Sequence, residues 1–264
     1  MASKSKRARM APVRNLSKTF LYWAIAVFVV KILIIFNIQG VNIEISGRPF
    51  FLDGAWLGAD GENYLKGYEA LSREGLFSQE GILNYWPAGY PLVILLLSLF
   101  GKSWVLTTLS IVQSLVFSYS VYFFATELSK TKLKKFAYLA LLLILFNPTL
   151  SLSSIAVGYE SLTASGLLLC VGLVIRSFIA KEDKKFIKYL IISSVTFGLL
   201  AFVQPRLILT GLFINMIWIL VWKGIKGSAL LIALAVAITL FFPATLIYRN
   251  NQELGLTASQ PTWE

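Results

Sequence analysis

Asp60, Glu62 and Glu160 stand beside aromatic residues at the edges of long apolar stretches, and Arg206 and Arg249 mark two further edges. A carboxylate is ionised at neutral pH and can take a proton from a hydroxyl. An arginine presents a planar fork that binds two oxygens of a phosphate. The chain has no histidine, which removes the Ser-His-Asp triad, the HExxH zinc site and the imidazole proton shuttle together. Acid–base work therefore falls to carboxylates, Tyr or Lys. A divalent ion between Asp60 and Glu160 would find only oxygen ligands, which suit Mg2+ or Mn2+ better than zinc; no residue is assigned as a metal ligand. The single cysteine, Cys170, lies inside an apolar run, so no intrachain disulfide is possible.

The elements that position these groups are written in lipid. Of 264 residues, 57% are apolar and 14% charged, against roughly 45–50% and 25% in a soluble domain. Mean hydropathy is +0.72. A basic head, residues 1–18, precedes an apolar run over 19–38, long enough to cross a hydrocarbon core of about 30 Å. No small-residue cleavage site follows it, so it reads as an uncleaved span. Residues 38–87 carry seven acids and three bases, the only sizeable polar segment. Apolar stretches then recur at about 91–100, 104–126, 136–157, 161–180, 189–204, 207–222 and 228–247. If 91–100 dips into the membrane without crossing, 17 of the 24 Lys and Arg fall on the side of the head, as the positive-inside rule requires. The predicted fold is an all-α integral membrane protein of about seven transmembrane helices. Its first span (19–38) leads into a long extracytoplasmic loop (39–103) with interfacial helices. Six further spans occupy 104–248, and an extracytoplasmic tail follows over 249–264. The N-terminus is cytoplasmic and the protein multi-pass, in a plasma membrane.

This threading gathers Asp53, Asp60, Glu62, Glu160, Arg206 and Arg249 on one face. From Asp60 to Leu71 the apolar Tyr64, Tyr68 and Leu71 recur at helical spacing with charges opposite, predicting an amphipathic helix on the outer surface with Asp60 as its N-cap. Asp60 then either caps or does chemistry, or both. Asp53, in Asp53-Gly54, reads as a turn residue and Glu62 as a residue facing water. Asn84-Tyr85-Trp86-Pro87-Ala88-Gly89-Tyr90-Pro91 enforces a bend before an apolar helix. Tyr64, Trp86 and Tyr90 could stack on a ligand or anchor the interface. Arg249 is a phosphate ligand or a span-end anchor. Lys31, inside the first span where a charge costs roughly 2.5–3.5 kcal/mol, is expected to snorkel to the outer interface.

The order of Asp60, Tyr64, a short helix, Pro87-x-Gly89-Tyr90-Pro91, an apolar helix and Gly101 resembles the first outer loop of GT-C glycosyltransferases that use lipid-linked sugars. The nearest groups are the protein mannosyltransferase, aminoarabinose transferase and Rgt-like families. Asn147-Pro148 ahead of Tyr159-Glu160, Pro205-Arg206 (the family dipeptide reversed) and Pro243 followed by Arg249-Asn250 resemble later family signals. Tyr85 and Trp86 stand where the aminoarabinose enzymes carry an acid. Family members continue into further spans, so the resemblance covers the seven-span module, as a minimal form or a fragment.

The resemblance implies transfer of a sugar from a polyprenyl phosphate to a hydroxyl of a glycan, lipid or protein acceptor at the outer face. Asp60 would be the base and Glu160 would orient the acceptor or, with Asp60, hold Mg2+ or Mn2+. Arg206 and Arg249, with Lys102 behind them, would meet the lipid phosphate, while Tyr64, Glu62 and Tyr90 line the substrate. Partners are membrane lipids and no nucleic acid. Two rival readings are an inactive or truncated homologue serving as a membrane scaffold or lipid-binding subunit, and a small transporter.

Overall fold

The structure, a computed structural model, describes residues 13–45, 47–78, 80–224 and 227–254. The basic head up to residue 12 and the tail beyond 254 lie outside the described residues. Eleven α-helices run through the rest: α1 (Val13–Asn37), α2 (Gly58–Glu74), α3 (Gly81–Tyr85), α4 (Gly89–Ser98), α5 (Val105–Leu128), α6 (Lys134–Leu145), α7 (Pro148–Leu152), α8 (Glu160–Ala180), α9 (Asp183–Val203), α10 (Leu207–Lys223) and α11 (Ala229–Leu254). Five helical stretches are long and apolar enough to cross a membrane: Leu16–Asn37, Lys102–Leu128, Glu160–Ala180, Asp183–Val203 and Ala229–Arg249. Lipid offers no hydrogen bonds, so an apolar run of this length closes its own backbone as a helix.

The expected span over 136–157 is not continuous. Lys134–Leu145 and Pro148–Ile155 meet at 61°, so six crossings result if this bent pair is one broken span. The cause is local. Pro148 lacks an N–H, and the residue before a proline is pushed out of helical conformation. Asn147 accordingly has ψ 117°, and its Oδ1 accepts from Leu150 N at 2.9 Å, capping α7 with Pro148 at its first position. The 207–222 stretch appears as α10, 17 residues and about 25 Å long.

α5 is the centre of the bundle, packed by α1, α6 and α8, while α9 joins α8 to α10 and α11. Its buried face alternates small polar and apolar groups: Ser110, Gln113, Ser114, Phe117, Ser118 and Val121. Small residues let membrane helices approach closely and offer hydroxyls across the interface. The outward faces of α1 and α11 remain apolar and exposed, with Tyr22, Leu33, Leu230 and Phe241 among them.

The loop between α1 and α5 is not purely helical. Three short antiparallel strands, β1 (Ile43–Ile45), β2 (Arg48–Leu52) and β3 (Ala55–Trp56), form a small sheet in the order β1-β2-β3, an addition to the all-α expectation. Asp53 and Gly54 close the β2–β3 hairpin with φ +46° and +88°, the left-handed pair that a two-residue hairpin demands and that Asp-Gly supplies. Asp53 is thus a turn residue, as its sequence predicts.

Candidate functional site

α2 begins three residues earlier than its sequence suggests. Leu57 N–H donates to Phe50 O at 3.0 Å, fixing the chain on the sheet, and the helix starts at Gly58. Asp60 is therefore in the first turn and not the N-cap; Leu57 holds that position without a side-chain bond. The carboxylate is free of a capping duty, is exposed, and lies in the turn where a helix dipole favours negative charge. The amphipathic pattern holds, with Tyr64 and Leu71 buried and Lys66 and Glu69 exposed. The apolar face does not lie on lipid, however. It is covered by α3 and α4, with Leu83, Ala88 and Leu92 gathered around Ala70 and Leu71.

One turn after Asp60, Tyr64 sits at the middle of an edge-on aromatic cluster. Its ring centroid is 4.8 Å from Tyr90, 5.4 Å from Trp86 and 6.2 Å from Tyr159. Burial, followed by the charges of Tyr159, Glu160 and Asp60, drives the Tyr64 hydroxyl far above its ordinary value. The turn of α2 that bears Asp60 packs on the chain leading to Glu160, where a β-carbon at Gly61 would stand 3.1 Å from Val157 O, so elements 100 positions apart in sequence meet beside Tyr64. Tyr90 is fully buried, and burial with Glu160 raises its hydroxyl too, against the Gly158 and Gln113 hydrogen bonds. Both tyrosines hold their protons throughout the physiological range.

Glu160 is delivered to this cluster by a strap, residues 153–159, between α7 and α8. Almost every position of the strap is fastened. Gln113 Nε2 donates to Ala156 O at 2.9 Å, and Ser110 Oγ to Ile155 O at 3.4 Å. Val157 N–H donates to Trp56 O at 2.7 Å, adding a bridge to β3. Gly158 N–H donates to Tyr90 Oη at 2.9 Å, and Tyr90 Oη donates to Gln113 Oε1 at 3.4 Å. From the other side, the Phe202 carbonyl at the end of α9 presses on Gly89 at the start of α4.

The remaining predicted residues divide. Glu62 pairs with Lys66 at 2.6 Å across one turn of α2, both partly exposed. Arg206 is exposed at the N-cap of α10, three residues after Val203, which packs in the same cluster as Tyr64 and Tyr90. Arg249 is at this end as well, but it is buried and fastens the loop: its Nε donates to Leu76 O at 2.6 Å and its guanidinium to Ser78 O at 2.5 Å. Lys102 is exposed in the short turn before α5. The Tyr85 side chain lies outside the described residues.

Three groups have roles that the sequence did not assign. Tyr159 completes the aromatic wall. Ser110, Gln113 and Ser114 hold the strap, and their spacing on one face of α5 was an available signal. Glu127, 1% exposed at the opposite end, pairs with Lys130 at 2.8 Å and Arg176 at 3.0 Å; the guanidinium lies 5.0 Å from the Phe123 ring centre. Asp183 pairs there with Lys223 at 2.6 Å. The two ends of the bundle are thus chemically different, one lined by the Tyr64 aromatic cluster and the other by ion pairs of Lys130, Arg176 and Lys223.

Among the described residues no three His, Cys, Asp or Glu side chains cluster as a metal cage. No family model, curated protein or solved structure matches this chain.

Proposed function

We propose that this chain is a membrane glycosyltransferase of the GT-C type, passing a sugar from a polyprenyl phosphate to an acceptor hydroxyl at the extracytoplasmic face. The observation that carries the reading is the aromatic wall around Tyr64, with the turn bearing Asp60 and the strap leading to Glu160 packed together beside it and the α10 end that bears Arg206 close in sequence to the same cluster. Seven crossings are taken, counting the bent α6–α7 pair and α10, with α4 dipping in from the outer face. The ends of α5, α8, α9 and α10 that carry Lys130, Arg176, Lys184, Lys185 and Lys223 then face the cytoplasm, as the positive-inside rule favours.

In this reaction the acceptor hydroxyl gives its proton to the Asp60 carboxylate as its oxygen attacks the anomeric carbon. The bond from that carbon to the phosphate oxygen breaks, and the electron pair leaves with the lipid phosphate. Arg206 meets the charge gathering on that phosphate, where a fixed cation is worth most. Glu160 accepts hydrogen bonds from the acceptor and so orients it. Tyr64, protonated, lends a ring for the sugar and a donor for its hydroxyls, with Trp86 and Tyr159 alongside. A bound divalent ion would add charge neutralisation at the phosphate.

Membranes containing the protein, incubated with radiolabelled polyprenyl-phosphate sugars, should release labelled product, and Asp60→Asn should lower that rate by roughly 10²–10⁴ while leaving the protein folded. Transfer by Asp60→Asn at the wild-type rate would remove the assignment. A second reading has one observation in its favour: the Arg249 donors are committed to loop carbonyls, as in a lipid-binding scaffold that needs no second phosphate ligand. A scaffold would release no labelled product.

A further inference from the structure

Lys31 belongs to the inward stripe of α1. Phe20, Ala24, Val27, Lys31 and Ile35 recur at three- and four-residue intervals and are all buried, while Ile25, Val30 and Leu33 face outward. The side chain does not snorkel. It is 3% exposed, its Nζ donates to Ser154 Oγ at 2.8 Å, and it stands 4.1 Å from the centre of the Phe117 ring. Snorkelling needs a lipid-facing position from which the amine can reach water, and the stripe turns Lys31 to α5. No carboxylate within ion-pair distance of it is found among the described residues. An intramembrane amine held this way points to a function for the contact it makes.

That contact is the foot of the strap. Ser154 is fully buried; its hydroxyl also meets Ser114 Oγ at 3.1 Å and donates to Ser151 O at 2.8 Å. From Ser154 the chain passes Ile155, Ala156, Val157 and Gly158, each bonded to α5, β3 or Tyr90, and reaches Glu160 six residues on. The other fasteners come from α5, β3 and α4, and Lys31 brings α1 to the strap.

We propose that Lys31 is a positioning residue: through Ser154 it clamps the 153–159 strap and so fixes Glu160 beside Tyr64. The role in catalysis rests on the glycosyltransferase reading, but the clamp itself does not.

Hydrogen–deuterium exchange on the full chain in detergent or nanodiscs tests it directly. Lys31→Met removes the donor and suits lipid. It should speed exchange over residues 155–159 by about five- to tenfold, the size of one net hydrogen bond, with residues 105–128 and 161–180 unchanged. Ser154→Ala should do the same, and the double variant should exchange no faster than Ser154→Ala, because the two act through one bond. Unchanged exchange at 155–159, additive effects, or equal loosening along the helices would overturn the proposal. If Lys31→Met does not fold, Lys31→Gln, one bond too short to reach the hydroxyl, carries the same expectation. In the transfer assay the variants should raise the acceptor KM severalfold and leave the donor KM alone, whereas a loss of folded protein would lower only kcat. Loosened exchange in a chain whose wild type transfers no sugar would sink the enzymatic reading and leave the clamp standing.

Discussion

The Gly158 amide and the Tyr90 hydroxyl are hydrogen-bonded at 2.9 Å across 68 residues of sequence, joining the strap to the start of α4. Both groups are buried, so Tyr90→Phe leaves an amide without an acceptor. The expected cost is about 1–3 kcal/mol, read as a lower denaturant or thermal midpoint in detergent. A parallel fall in sugar transfer is expected because the strap carries Glu160.

Tyr64 and Tyr90 also set an alkaline limit. Burial raises both hydroxyls above the ordinary value of about 10. Above that pH the unfolded chain releases these protons while the native protein keeps them, so the unfolded state binds fewer protons and stability falls as pH rises. Below about pH 10 the contribution is fully present. Each tyrosine should add roughly 1.4 kcal/mol of loss per pH unit above that point. Unfolding measured from pH 9 to 12 should show the decline, and Tyr90→Phe should make it shallower.

Gly89→Ala tests the seat of α4. The Phe202 carbonyl occupies the space a β-carbon would need, and it is backbone that cannot rotate aside. Either α4 or the end of α9 must shift, so a loss of about 1–3 kcal/mol or more is expected. Tyr90 follows directly and would move with it. A melt of the purified variant decides, and an unchanged midpoint would show that the two helix ends are not held together as described.

These effects mark where the sequence was readable and where it was not. Five of the expected spans, the Asp53-Gly54 turn and the buried face of α2 follow from periodicity and turn chemistry, which act over a few residues. Periodicity assigned Lys31 to a helix but not to a face, because an amine on the lipid side and one on the core side look alike until the neighbour is known. Asp60 lost its capping role for a similar reason: the sheet that fixes Leu57 is built from strands of two to five residues, too short for alternation to announce. The break at Asn147-Pro148 was written locally, yet the apolar run on both sides hid it.

Arg249→Gln addresses the other fastening of the outer loop. Losing charge-assisted bonds to Leu76 and Ser78 should cost about 1.5–3 kcal/mol locally. Leu76 and Phe77 are already exposed, so limited proteolysis near 75–80 should accelerate before any global unfolding is detected. Unaltered cleavage would show that the guanidinium is not what holds this segment.

A backbone that leaves the helix inside a packed bundle must bring a substitute for water. After the bend at Asn147, the peptide groups of 155–158 find theirs on α5, on Trp56 of β3 and on Tyr90, so packed neighbours stand in for solvent here. Exchange of Ser110 or Ser114 for threonine should be absorbed, and Gln113→Leu should not. The tolerance of α5 to substitution is therefore set by a segment it never touches in sequence.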